Sequence, residues 1–137
     1  MYQLQLAQLA RLAQLEKSDS FMAAENAGQI PSWLSEVRKL LDERFSDRLS
    51  LSEIAAFAGV HPVYLGRAFR AHYGCSIGEY LTHCRLELAR DLMANSEMPL
   101  SQIAITSGFY DQGHFSNKFK KHHGVSPSEF RNALREE

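Results

Sequence analysis

The chain has 137 residues, 45% of them apolar, with 15 Lys and Arg against 16 Asp and Glu for a net charge of -1. That suits one domain of ordinary size, or a smaller one with an appendage, and it argues against a protein that coats nucleic acid by sheer basicity. No apolar run approaches membrane-spanning length, and two cysteines, Cys75 and Cys84, fit a reducing compartment or core filling better than a disulfide framework.

Residues 1–16, MYQLQLAQLARLAQLE, are strong helix formers, with Leu9, Leu12 and Leu15 near one side. A run this short cannot bury that side alone, so either a partner helix covers it, giving a homodimer, or it packs on its own domain. The polar stretch KSDSFMAAENAGQIPS comes next without a sustained period and is expected to be a linker. A boundary near residue 30 therefore separates an N-terminal helix and linker (1–30) from a denser domain (31–137). No charged leader precedes an apolar stretch, so the expected location is the cytoplasm.

From Pro31 the pattern turns helical. Trp33, Leu34, Val37, Leu40, Leu41 and Phe45 recur at three and four, with Pro31 and Ser32 as start signals. A repeat organises the remainder of the chain. A shift of 49 superposes Leu51, Ser52, Ile54, Ala55 and Gly59 on Leu100, Ser101, Ile103, Ala104 and Gly108. Beyond the glycine a shift of 50 is needed to match Phe69, His72, Gly74, Ser76 and Glu79 with Phe119, His122, Gly124, Ser126 and Glu129. One residue has been inserted just after the second glycine.

Each copy reads as a short helix, a glycine able to take the left-handed conformation, and a second helix: a helix-turn-helix unit. Ser50–Glu53, Ser76–Glu79 and Ser126–Glu129 have the Ser-x-x-Glu spacing of a capping box, and Pro127 suits a first helical position. Between the copies, Glu79 to Ala94 reads as one helix with Tyr80, Cys84, Leu88 and Leu92 four apart, stopping near Asn95 and Pro99.

Charge is unevenly spread. No acid occurs between Glu53 and Glu79, and only Asp111 between Glu97 and Glu129. In the second helix of copy one, Leu65, Phe69 and Tyr73 form an inward stripe and Val63, Gly66, Arg67 and Arg70 an outward one. In copy two, Phe115 and Phe119 lie inside, with Gly113, Ser116, Asn117 and Lys120 outside. Small, polar and cationic groups without carboxylates suit a helix in a DNA major groove. Arg can pair with guanine, Asn and Gln with adenine, and Lys neutralises phosphate.

The pieces LSEIAAFAGVHPVYLGRAFRAHYGCSIGEYL, RLELARDLM and PLSQIAITSGFYDQGHFSNKFKKHHGVSPSEFR resemble the DNA-binding region of AraC/XylS-type transcription regulators. The likeness spans Pro31 to Arg135. It implies an all-α, homeodomain-like fold: two helix-turn-helix subdomains joined by a long connecting helix. It also implies a bacterial, sequence-specific regulator that inserts two recognition helices into successive major grooves of an asymmetric site. The first helix would read bases from Val63, Gly66 and Arg67, and the second from Gln112, Gly113, His114 and Asn117. Backbone contacts would come from Arg70, Ser116, Lys118, Lys120, Lys121 and His122. Asn117 stands where many members have Arg, and Val63 and Gly66 offer no side-chain hydrogen bond, so direct readout by the first unit rests chiefly on Arg67. Double-stranded DNA is the expected partner, with RNA polymerase beside it.

Competing patterns carry less. GCSIG, from Gly74 to Gly78, matches a nucleophile motif but lacks the strand that motif requires, and Ser76 is more simply a cap. His72, Cys75, His83 and Cys84 fit no usual zinc spacing. Arg85 and Arg90, beside Glu87 and Asp91, are expected to form solvated ion pairs. No cofactor, metal or catalytic role is expected. The alternative function is a helical interaction module that keeps the fold without binding DNA.

Overall fold

The computed structural model describes residues 30–135, so the expectations for residues 1–16 and for most of the linker fall outside the described residues. Seven helices and no strands occur among the described residues: α1 Ser32–Arg44, α2 Leu51–Ala58, α3 Pro62–Tyr73, α4 Ile77–Asn95, α5 Leu100–Ser107, α6 Gln112–His123 and α7 Pro127–Arg135. The fold is all-α, with two helix-turn-helix units on one connecting helix.

Local chemistry sets the boundaries. Each Ser-x-x-Glu segment closes a reciprocal cap. The hydroxyls of Ser50, Ser76 and Ser126 accept from the amides of Glu53, Glu79 and Glu129, whose carboxylates accept from the serine amides at 2.8–2.9 Å. Pro31 stands at the N-cap of α1 rather than inside it, leaving that end without a side-chain cap. The first helix-turn-helix bend is made at Gly59, φ 72°, and the second at Gly108, φ 106°, both in the left-handed region.

Two separate cores result. The first packs Leu34, Val37 and Leu41 of α1 with Ile54, Leu65, Phe69 and Tyr73, and with Ile77, Tyr80, Leu81 and Cys84 from the start of α4. The second packs Leu86, Ala89 and Met93 from the end of α4 with Ile103, Ala104, Phe109, Phe115 and Phe119. One long helix thus closes the first unit and founds the second. Its buried side is therefore not the single stripe expected from Tyr80, Cys84, Leu88 and Leu92. Tyr80 and Cys84 are buried, Leu88 and Leu92 only half so, and burial passes to Leu86, Ala89 and Met93.

The ion pairs expected around Glu87 do not form. Glu87 is 5% exposed; Arg85 instead donates to the carbonyls of Phe45 and Asp47, and the Arg90 guanidinium lies 5.8 Å from the Phe130 ring centroid. A further clamp has no local signature: buried Arg131 donates to Met98 O at 2.5 Å and Ser96 O at 2.7 Å, tying α7 to the loop between α4 and α5.

His83, half-buried on α4, has its pKa held below the ordinary 6.5 by burial, against the pull of Glu87 and with the push of His122. As pH falls through 6.5 the unfolded chain takes the proton first, so stability should drop between that value and the lower folded one. The cap carboxylates of Glu53, Glu79 and Glu129 are held below 4.5 by their serine hydrogen bonds and act only in a more acid window. His123 is likewise held below 6.5 by burial, so urea denaturation at about pH 7.5 and about pH 5.5 should show the wild type weakened in acid, and His83→Leu should reduce that change without abolishing it. An unaltered pH response in the variant would remove His83 from the account.

Candidate nucleic-acid interface

Helices α3 and α6 occupy equivalent places in the two units, each following its left-handed glycine. Their start signals differ. At α3, His61 Nδ1 accepts from the amide of Val63 at 3.1 Å; at α6, Asp111 Oδ1 accepts from the amide of His114 at 2.7 Å. The sole acid of the second helix-turn-helix stretch is thus used as a cap, beside the positive end of the helix dipole. Both helices end at glycines whose amides donate to Arg70 O and Lys120 O at 2.8 Å.

The inner stripes are buried as the periodicity predicts. Leu65, Phe69, Phe115 and Phe119 are fully buried, and Tyr73 nearly so. Phe119 packs among Phe115, Phe130 and His123, with ring centroids 5.8, 5.4 and 4.4 Å away. The aromatic ladder therefore fixes each helix's rotation about its own axis and decides what faces outward.

On α3 the outward group is Val63, Arg67 and Arg70, all exposed, with Gly66 half-exposed between them. Arg70 is not idle: its Nη2 lies 3.5 Å from Glu79 Oε1, a pair exposed on both sides. On α6, Gln112, Gly113 and Asn117 are exposed, and His114 and Ser116 half-exposed. Lys120, Lys121 and His122 are exposed and Lys118 half-exposed; the three lysines form no ion pair among the described residues. Every sequence-predicted contact residue thus reaches the surface of its recognition helix.

His114 carries a detail that the sequence did not show. Its Nδ1 accepts from the amide of Tyr110 at 3.2 Å, and its ring meets Phe109 edge-on at 5.4 Å. Using Nδ1 as an acceptor assigns the neutral ring's proton to Nε2, which leaves a donor for an acceptor on a ligand. Ser76 is occupied as the cap of α4, and no three His, Cys, Asp or Glu side chains among the described residues come together as metal ligands. No helix among them is long and apolar enough to cross a membrane.

Residues 54–133 match the profile of a helix-turn-helix domain. Among solved structures, the chain resembles the C-terminal domain of AraT, a response regulator from Geobacillus stearothermophilus, with 35% identity and a TM-score of 0.73 over 77% of this chain and 88% of that one. It also resembles the DNA-binding domain of the global transcriptional factor AdpA, solved with a target DNA, with 25% identity and a TM-score of 0.71 over 74% of this chain and 92% of that one. The transcriptional activator AarP of Providencia stuartii is 32% identical over 100 residues, which cover 73% of this chain and 74% of AarP. Two longer curated regulators are matched over only 38% and 41% of their length. With the domain profile, the two-unit fold and the surface chemistry in agreement, the chain belongs to the AraC/XylS family of helix-turn-helix transcription regulators.

Proposed function

We propose that the chain is a sequence-specific DNA-binding regulator that sets α3 and α6 into neighbouring major grooves of an asymmetric site. The observation that carries this is the pairing of two buried aromatic stripes with two exposed faces free of carboxylates, both mounted on α4. A helix of 19 residues is about 28 Å long, of the order of the roughly 34 Å between successive grooves and a little short of it, which favours a duplex bent toward the protein.

Within this reading Arg67 pairs with guanine, Val63 meets a thymine methyl and Gly66 lets the backbone approach. In the second unit Asn117 and Gln112 suit adenine, Gly113 admits the backbone, and His114 donates from Nε2. Arg70, Ser116, Lys118, Lys120, Lys121 and His122 hold phosphate, Arg70 by exchanging Glu79 for it. RNA polymerase is the partner such a regulator would act on, and residues 1–16 supply a homodimer contact.

Selection of bound sequences from random duplex, with affinities measured at low and high salt, tests the reading. A composite site and a steep loss of affinity with salt are expected. Affinity that ignores salt and sequence would instead favour the interaction module. Arg67→Ala should cost about 1–3 kcal/mol at one base position and relax preference there. Lys120→Ala or Lys121→Ala should weaken binding to all sequences and reduce the salt slope by about one, as read from titrations across salt.

A further inference from the structure

The caps on either side of the second turn identify the extra residue of the second repeat. The shift of 49 holds through the turn, where Val60 and Phe109 donate to Ala55 O and Ala104 O. It has become 50 at the next caps, where Leu65 and Phe115 donate to the carbonyls of His61 and Asp111. One residue lies between Phe109 and Asp111, and it is Tyr110. The first unit has no counterpart to it.

Tyr110 is 66% exposed, so core packing does not explain it. Its ring is capped from the other unit: Arg48, in the loop between α1 and α2, holds its guanidinium carbon 4.8 Å from the ring centroid. The ring's base is steadied where the Tyr110 amide meets His114. Beside it the two units touch through backbone. A Cβ placed on Gly108 would stand 2.7 Å from Ser46 Cα and 3.1 Å from Ser46 O, whereas one on Gly59, the matching glycine, would meet nothing within 4 Å. Arg85, on α4, binds the same loop through the carbonyls of Phe45 and Asp47 at 2.6 and 3.3 Å.

The Tyr110–Arg48 and Gly108–Ser46 contacts lie off the connecting helix, which reaches the same loop through Arg85. The two cores share no residue, so α4 alone would leave each unit able to roll about a single strut by repacking its own side chains. A second point of contact away from the strut removes that rotation. We propose that Tyr110, Arg48, Gly108 and Arg85 form a joint between the units that fixes the relative position of α3 and α6. Half-site spacing then becomes a specificity determined by residues that do not read bases. This rests on the DNA-binding reading above; the joint itself does not.

Two measurements on the whole chain separate the two. The first uses no DNA. Residual dipolar couplings of the free wild type and of Tyr110→Phe, which keeps the ring, should fit both units to one alignment tensor. The Tyr110→Ala/Arg48→Ala double variant should require two tensors of different magnitude. Because both side chains are exposed, the variant should retain its fold, which circular dichroism checks. The second uses the duplex selected by the wild type, with one base pair added or removed between the half-sites. The wild type and Tyr110→Phe should lose roughly tenfold or more in affinity, and the double variant less than about threefold. The ratio of matched to shifted affinity cancels any uniform weakening. A double variant that keeps a single tensor, or keeps the wild-type spacing penalty, would overturn the proposal. Couplings that divide in a protein whose wild type ignores duplex would sustain the joint and sink the DNA-binding reading.

Discussion

Phe119→Ala should destabilise the protein by about 3–5 kcal/mol, a large share of the roughly 5–15 kcal/mol that holds a domain of this size. Phe119 is fully buried, and its neighbours Phe115, on the same helix, and Phe130, on α7, are themselves rings meeting it edge-on. Rigid walls of this kind cannot collapse into the space left behind, so the cavity cost is added to the lost burial. The loss should also be local. Because the second core shares no side chain with the first, amides of α6 and α7 should lose hydrogen-exchange protection while those of α2 and α3 keep more of theirs. Urea denaturation gives the total and hydrogen exchange the distribution. An even loss of protection across both units would show that they melt as one body.

Gly108→Ala should cost several times as much as Gly59→Ala. Both glycines hold a left-handed φ, and an alanine there costs about 1–2 kcal/mol in either unit. Only at Gly108 does the new methyl meet backbone, with Ser46 Cα 2.7 Å away and Arg85 Nε 2.9 Å. A side chain could turn aside; the Cα of Ser46 cannot move without shifting the loop that Arg85 holds. Thermal melts of the two variants side by side provide their own control, because backbone strain is common to both and the collision is not. Equal losses would mean that the loop yields freely.

The parts legible in the sequence were those set by near neighbours. Leu65, Phe69 and Tyr73 point inward because they lie four apart on one helix, and Ser50, Ser76 and Ser126 cap because a glutamate stands three residues on. The duplication and both left-handed turns were visible for the same reason, and the expected contact residues all reach the surface. What escaped depends on partners far along the chain. Arg85 finds Phe45 across 40 residues and Arg131 finds Met98 across 33, and no periodicity encodes either meeting. The stripe expected on α4 failed because a period assumes one core, whereas Cys84 serves the first and Leu86 the second. Tyr110 was visible only as an uneven repeat length, until the caps showed where the extra residue sat.

Joint ownership of α4 governs how this protein can be divided. A cut after Asn95, where the repeat itself suggests a border, would strip the downstream half of Leu86, Ala89 and Met93. A cut ahead of Ile77 would rob the upstream half of Tyr80, Leu81 and Cys84. Only a cut between Cys84 and Leu86 leaves both sets of core side chains whole, and it severs α4 in mid-helix, removing the brace that carries one half on the other.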